Sequence, residues 1–379
     1  MSVQDFFRWL STLNPWLEIV VIVAAFVVVV GLILFFIEIA PRRGTVYTVI
    51  RLIACIVGPA LVLFLFQSWM EAVAAAAVLG LLFFFLDRRA KDGAGSLFQL
   101  VGFLAPAIVL LAVGLVVPTI QTIGQAFMNS RGTEFVAFEN FVWIFTQPQN
   151  VRVILNTVLW VLIAPVVSTV AGLAYAYFID KTRGEKYYKI LVFMPMAISF
   201  VGASIIWRFM YTARPEDVGQ IGFLNQVIVW FGGEPYNFLA DDPWNSLWLI
   251  VVFIWIQTGF AMVVLSAAIK GVPTEQLEAA ELDGTNGWQK FINVVVPGIR
   301  PALIVVLTTI SIASLKVFDI VRTMTAGANN TSVLANEMYT QFRSFEAGRS
   351  AAFALILFVL VMPIVIYNAV QLKKQREIR

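Results

Sequence analysis

The sequence predicts an all-α polytopic membrane protein with about nine transmembrane helices, its amino terminus outside and its carboxyl terminus in the cytoplasm. Three observations carry this. Hydrophobic residues make up 60% of the chain and charged residues 13%. A soluble domain has roughly 25% charged residues, so this chain has too little polar surface to cover a water-facing fold. Apolar runs of the length that crosses a bilayer, about 20 residues, recur from end to end. Lys and Arg gather in alternate loops, as the positive-inside bias requires.

The runs lie at about 17–39, 46–66, 68–86, 98–124, 151–178, 188–210, 246–268, 302–322 and 350–372. The second and third are separated by little more than Gln67, so the first three also fit two spans and a surface helix. The opening "MSVQDFFRWLSTLNPW" lacks the basic start of a secretory signal, and the run after it is too long for one. The first span is therefore expected to be retained. Arg42 and Arg43 follow the first span; Arg88, Arg89 and Lys91 follow the third; Lys181, Arg183, Lys186 and Lys189 follow the fifth; Lys373, Lys374, Arg376 and Arg379 follow the ninth. The segment 211–245 sets Arg214 alone against Glu216, Asp217, Glu234, Asp241 and Asp242. Amino terminus outside and carboxyl terminus inside satisfies this alternation, with Arg343 and Arg349 running against it. The first three spans are plain Val, Leu, Ala and Phe. The linker "DRRAKDGAGS" at 87–96 divides them from the rest, which sets an extension at 1–95 against a core at 96–379.

Composition also excludes chemistry. The single cysteine, Cys55, permits no intrachain disulfide and no cysteine-based zinc site. The chain has no histidine, which removes Ser-His and Cys-His nucleophile pairs and HExxH metal sites. No cofactor and no metal are expected. No long Lys/Arg run points to nucleic acid. No GxxxxGK[ST] phosphate loop occurs, so ATP chemistry, if any, belongs to another chain.

One segment between spans, 271–301, is ordered by its own residues. Pro273 suits a helix start, Glu275 complements the helix dipole, and "EQLEAAEL" is helix-forming throughout. Asp283-Gly284 ends that helix, since glycine supplies the left-handed C′ conformation. Thr285 or Asn286 caps a second short helix, "WQKFINVVV", and Pro297 and Pro301 close it and open the eighth span. Ala279 and Ala280 leave a small, smooth face beside the glutamates that suits close contact with a partner. The charge bias puts this segment in the cytoplasm.

These residues carry a resemblance. Glu278-Ala279-Ala280, then Asp283-Gly284, Phe291, Pro297 and Pro301, resemble the EAA loop of binding-protein-dependent ABC importer permeases. "FVAFENFVWIF" at 135–145, Asn156-Thr157, Pro195, "IWRFMY" at 206–211 and "LKVFDIVRTMTAG" at 315–327 extend it to sugar permeases of the maltose/α-glucoside type, over roughly residues 98–379. The resemblance implies a six-span permease core, with Glu278, Ala279, Ala280, Asp283, Gly284, Phe291 and Pro297 coupling it to separate ATPase subunits. It further implies a second, different permease chain, an extracytoplasmic sugar-binding protein and a prokaryotic plasma membrane. The sugar would be an α-glucoside such as maltose, a maltodextrin or trehalose. Two positions depart from the family: Thr285 stands where Ala is frequent, and Thr325 leads into "AGAN" where Gly-Gly-Pro is frequent.

Within the spans, Glu38, Arg51, Glu71 and Arg208 sit near ends and can snorkel. Lys316 and Asp319 lie deeper, three apart on one helix face, as a pair that either holds the helix rotation or lines the pathway. Gln257, Thr258 and Phe260, with Trp255 nearby, and Ser311 and Ser314 in the eighth span supply the aromatic faces and neutral hydrogen-bonding groups that bind sugars. Ser and Thr in such helices also bond their own backbone. The segment 223–233, "FLNQVIVWFGG", reads as an amphipathic interfacial helix with Trp230 at headgroup level and flanking acids facing water. Two other classes compete. An ion-coupled secondary carrier would leave the ordered 271–301 segment unexplained and has in Asp319 almost its only deep acid. An intramembrane enzyme would need Ser314 and Lys316 to cooperate, although two residues apart they point to different helix faces.

Overall fold

The computed structural model describes residues 111–180, 182–215 and 217–377. The chain divides into two compact units, Met1–Pro118 and Thr119–Arg379, and nearly all of the described residues belong to the second. The spans expected at 17–39, 46–66 and 68–86, the first part of 98–124, the basic loops from Arg42 to Lys91 and the boundary near residue 95 lie outside the described residues.

The described residues are helical, with no strand among them beyond the single bridge Met128–Phe135. In chain order the helices are α1 (Val117–Gln125), α2 (Glu139–Thr146), α3 (Pro148–Ile179), α4 (Glu185–Phe193), α5 (Phe200–Tyr211), α6 (Phe223–Trp230), α7 (Trp244–Lys270), α8 (Thr274–Leu282), α9 (Gly287–Lys290), α10 (Arg300–Leu315), α11 (Asp319–Met324), α12 (Leu334–Arg343) and α13 (Ala347–Glu377). Three of them, α3, α7 and α13, are long and apolar enough to cross a membrane, and two bent pairs would raise the count to five.

The bends correct the sequence reading. The run at 188–210 is not one straight span. After α4 a 3₁₀ turn, Met194–Ala197, carries Pro195, and α5 starts afresh with the Ser199 hydroxyl capping Gly202 N–H at 3.1 Å. The two parts differ in direction by 102°. The run at 302–322 also breaks: α10 stops at Leu315, and α11 begins at Asp319 after a short irregular link. At its start, α10 is bent by 71° from the turns Gly287–Gly298, at a point where Pro301 has no N–H to continue the hydrogen-bond ladder.

The core forms where α3, α7 and α10 meet. Trp160 and Ala164 of α3, Leu249, Phe253, Met262 and Leu265 of α7, and Val306 and Ile310 of α10 are fully buried in one cluster. Trp160 meets Phe253 edge-on at 5.7 Å, and Phe200 stacks on Phe253 at 5.8 Å. Gly172 sets the closest approach. A Cβ there would lie 2.8 Å from the Met262 nitrogen and collide with the Ala261 methyl, so small residues bring the two backbones together, as membrane helix packing requires. A second cluster joins α2, α12 and the start of α13 through Ile144, Leu334, Ala352 and Phe353.

The ends of these helices show that α3 and α7 run parallel. Near their starts, Arg152 pairs with Asp242 at 2.5 Å. Near their ends, the Ser266 hydroxyl donates to Asp180 Oδ1 at 2.9 Å. The segments 180–185 and 270–290 therefore share one end of the second unit, and 212–243 and 325–333 share the other.

Candidate functional site

At the first end stands the segment between α7 and α10. Helix α8 begins after Pro273 and closes at Asp283, and Gly284 takes φ +77°, the left-handed turn expected of it. Thr285 folds back, its N–H and hydroxyl both donating to Ala280 O. Asn286 then caps α9 in a reciprocal box: its side chain accepts from Gln289 N–H at 2.8 Å while Gln289 accepts from Asn286 N–H at 2.9 Å. The second helix covers the length of "WQKFINVVV" but is not one regular α-helix. Gly287–Lys290 is α-helical, Phe291–Val295 is a π turn, and Val296–Gly298 is a last α turn that holds exposed Pro297.

Helix α8 presents Glu278 and Ala279 to solvent, and Asp283 and Gly284 are exposed at its end. Ala280 corrects the expectation of a two-alanine outer face. It is 7% exposed and turns inward against the chain, so the outer face consists of Glu278, Ala279 and the 89% exposed Leu282. Lys290 ion-pairs with Glu281 and clasps α8 to α9. The ammonium's hydrogen bond, followed by its charge, holds the Glu281 carboxyl below the usual carboxylate range.

This hairpin is fastened to the spans in two ways that the sequence did not announce. Val272 and Ile299, flanking it, are buried in the main core, and Leu277 packs against that core. Phe291 lies against Tyr177 of α3 with ring centroids 4.4 Å apart and stacks with Trp288 at 5.7 Å, and the Tyr177 hydroxyl donates to Gly287 O at 3.3 Å. Beside it runs a polar lattice. Lys189 of α4 pairs with Asp180 at 2.6 Å and with Glu185 at 2.7 Å, and Lys270 at the end of α7 also pairs with Glu185. The ends of α3, α4 and α7 are thus tied together where the hairpin begins.

At the other end, the link 325–333 departs from the family pattern yet is firmly held. Ala326, Gly327, Asn329 and Asn330 all adopt positive φ. Asn156 of α3 donates to Asn330 O at 2.6 Å and Ser332 O at 3.0 Å, the Thr157 hydroxyl accepts from Leu334 N–H at 3.0 Å, and Asn245 of α7 donates to Asn329 O at 2.7 Å. Asn330 also donates to Asp242 at 3.1 Å. The segment 211–245 is similarly organised: Asn225 of α6 is fully buried, donates to Thr212 O and accepts from Tyr236 N–H at 2.7 Å. Trp230 is exposed, and the acids Asp241 and Asp242 are exposed while bound to Tyr236 and Arg152.

Between the ends lie the other singled-out residues. Gln257 and Phe260 are half-buried on α7, with Trp255 edge-on to Trp207 of α5 at 5.6 Å. Ser311 and Ser314 are buried and donate to Leu307 O and Ser311 O, and Thr258 donates to Ile254 O, so their hydroxyl protons serve their own helices. Lys316 and Asp319 do not form the expected pair on one helix face. The break at 316–318 separates them, Lys316 is exposed, Asp319 is half-buried, and no ion pair joins them. Arg322 instead lies over the Tyr339 ring at 4.9 Å, and Arg208 donates to Thr323 O at 3.4 Å, drawing α5 to α11. Among the described residues no cluster of acids could hold a metal ion.

Residues 135–377 match the family described as binding-protein-dependent transport system inner membrane component. The chain is 46% identical over 268 residues to the α-glucoside transport system permease protein AglF of Rhizobium meliloti (strain 1021), covering 70% of this chain and 80% of that one. It is 41% identical over 280 residues to the osmoprotective compounds uptake permease protein GgtC of Synechocystis sp. (strain ATCC 27184 / PCC 6803 / Kazusa), covering 73% of this chain and all of that one. Among solved structures, a chain of a bacterial alginate ABC transporter in complex with an alginate pentasaccharide-bound periplasmic protein superposes with a TM-score of 0.63 at 23% identity, over 72% of this chain and 92% of that one. That likeness is one of fold.

Proposed function

We propose a function on the premise that this chain belongs to the family of binding-protein-dependent transport system inner membrane components: it is a permease subunit of an ATP-driven ABC sugar importer. It forms half of the translocation pathway beside a second, different permease chain in a prokaryotic plasma membrane. It receives sugar from an extracytoplasmic binding protein and takes its energy from separate ATPase subunits. The hairpin of α8 and α9 lies on the cytoplasmic side, at the end where Arg183, Lys186, Lys189 and Lys270 gather, in keeping with the positive-inside bias. The observation that carries the coupling role is that hairpin's construction: a capped, clasped body with Glu278, Ala279 and Leu282 facing outward, continuous with α7 and α10 and stacked on α3. Such a body moves as one piece, as domain-closure mechanisms need.

The transported sugar is an α-glucoside such as maltose, a maltodextrin or trehalose, on the strength of the relation to AglF. Gln257, Phe260, Ser311, Ser314, Lys316 and Asp319 contribute its contacts; the hydroxyl oxygens of the serines still accept, and Lys316 and Asp319 make no ion pair among the described residues. The relation to GgtC favours a second reading, an osmoprotective compound as cargo. Competition of labelled maltose uptake by trehalose and by osmoprotective compounds separates the two. The coupling test is Glu278→Arg in the complete transporter reconstituted in vesicles. ATP hydrolysis persists but uptake falls about tenfold or more, the loss that roughly 1.4 kcal/mol of transition-state stabilisation produces. Uptake still in step with hydrolysis contradicts the reading.

A further inference from the structure

The outer face of α3 carries an open groove of about 350 Å³ walled by Ala171, Ala174, Tyr175, Phe178, Thr182 and Tyr188, whose exposed lining is almost wholly apolar. Two alanines, Ile179 and three aromatic rings line it. Its one aliphatic hydroxyl is turned away, since Thr182 Oγ1 donates to Ile179 O at 2.8 Å. The groove occupies the last turns of a membrane-crossing helix, so it ends at the bilayer surface. There the charges are unbalanced. Asp180 and Glu185, the acids on either side of the turn, are both taken by Lys189, with Ser266 and Lys270 completing their bonds. Arg183, next to Thr182, and Lys186, in the first turn of α4, are exposed and make no ion pair among the described residues.

We propose that this groove holds an acyl chain of an anionic phospholipid, whose headgroup phosphate is drawn to Arg183 and Lys186. Small and aromatic residues side by side fit a flexible methylene chain, and cations without an ion pair among the described residues attract anionic headgroups at the membrane edge. Arg183 also offers a planar fork that matches a phosphate. The site rests on α3 being a membrane span and goes beyond the transport reading. It lies on the same turn that ties α3 to α4 and α7, next to the coupling hairpin.

Native mass spectrometry of the complete transporter, extracted in mild detergent from mixed phosphatidylcholine and phosphatidylglycerol vesicles, tests it. The unaltered chain retains phosphatidylglycerol over phosphatidylcholine. Arg183→Gln with Lys186→Gln abolishes that preference, and Ala174→Phe, which fills the groove, removes the bound lipid while subunit stoichiometry in the same spectrum is unchanged. Ala171→Leu does the same if the phenylalanine variant fails to assemble. Equal retention of both lipids by the unaltered chain, or unchanged phosphatidylglycerol retention in the variants, overturns the proposal. So does efficient cross-linking of Ala174→Cys, in a Cys55→Ser background, to another protein chain, which would show the groove covered by protein. The readout is bound mass, so its failure leaves the transport reading standing, and absence of uptake leaves the lipid site standing.

Discussion

Gly172 and Ala261 have no chemistry to offer, yet the contact between them decides how closely α3 lies on α7. Gly172→Val forces a branched side chain onto the Met262 backbone. Overpacking of this kind costs about 1–3 kcal/mol, and backbone leaves little room to yield. The purified variant should melt several degrees lower in detergent, and an unchanged melting temperature would show that the helices can part there without cost. At the hairpin, Glu281 and Lys290 make a different sort of contact, exposed and screened by salt. Because the folded carboxyl is depressed, the clasp contributes at neutral pH and is lost as the pH falls through that depressed value. Lys290→Ala should return the Glu281 titration midpoint, followed by carbon NMR of the labelled side chain, to the ordinary carboxylate range. The sequence could mark Asn156-Thr157 as a family feature, but not say why those two residues are there. The answer is that they hold backbone carbonyls and an N–H of the link 325–333 across more than 170 residues of chain.

Elements show where local rules suffice and where they stop. The end of α8 at Gly284 and the cap of α9 at Asn286 are legible because capping depends on a few adjacent residues. Asn286→Ala should cost the hairpin about 1 kcal/mol, the usual worth of a side-chain N-cap. Amide hydrogen exchange at Gln289, which the cap protects, should rise correspondingly, and unaltered protection would deny the box its role. The breaks in the long runs are harder. A run of apolar residues reads the same whether or not the helix bends within it, and Pro195 and Pro301 mark only places where a bend is permitted. In α3 and α13, Pro165 and Pro363 sit inside helices that continue past them. The bend of 102° between α4 and α5 and the break after Leu315 are settled by what packs around them, Phe253 against Phe200 and Tyr339 against Phe318 and Arg322. The break is also why Lys316 and Asp319 do not pair as a continuous helix would have them.

At the largest scale described, what matters is that the two ends of the second unit are each cross-tied and are joined by parallel α3 and α7. The α8–α9 hairpin is joined to α7 through the chain, and to α3 through the Tyr177–Phe291 contact and the Tyr177 hydrogen bond to Gly287, the links that the proposed coupling role would use. Tyr177→Ala removes both links to α3 while leaving Glu278, Ala279 and Leu282 in place. In the reconstituted transporter it should let ATP hydrolysis continue and lower uptake per ATP, whereas a variant with full coupling would show that the covalent connection to α7 and α10 is enough. The amino-acid sequence by itself determined the membrane class, the all-helical class and the capped hairpin, because hydropathy and capping act over short stretches of chain, and its motifs marked the permease family. Only the tertiary structure decided that Ala280 turns inward, that two runs are bent or broken, that Tyr177 and Lys189 tie helix ends together, and that Asn156 holds the link 325–333. Those outcomes depend on contacts between residues far apart in the chain, and such contacts exist only once the helices have packed.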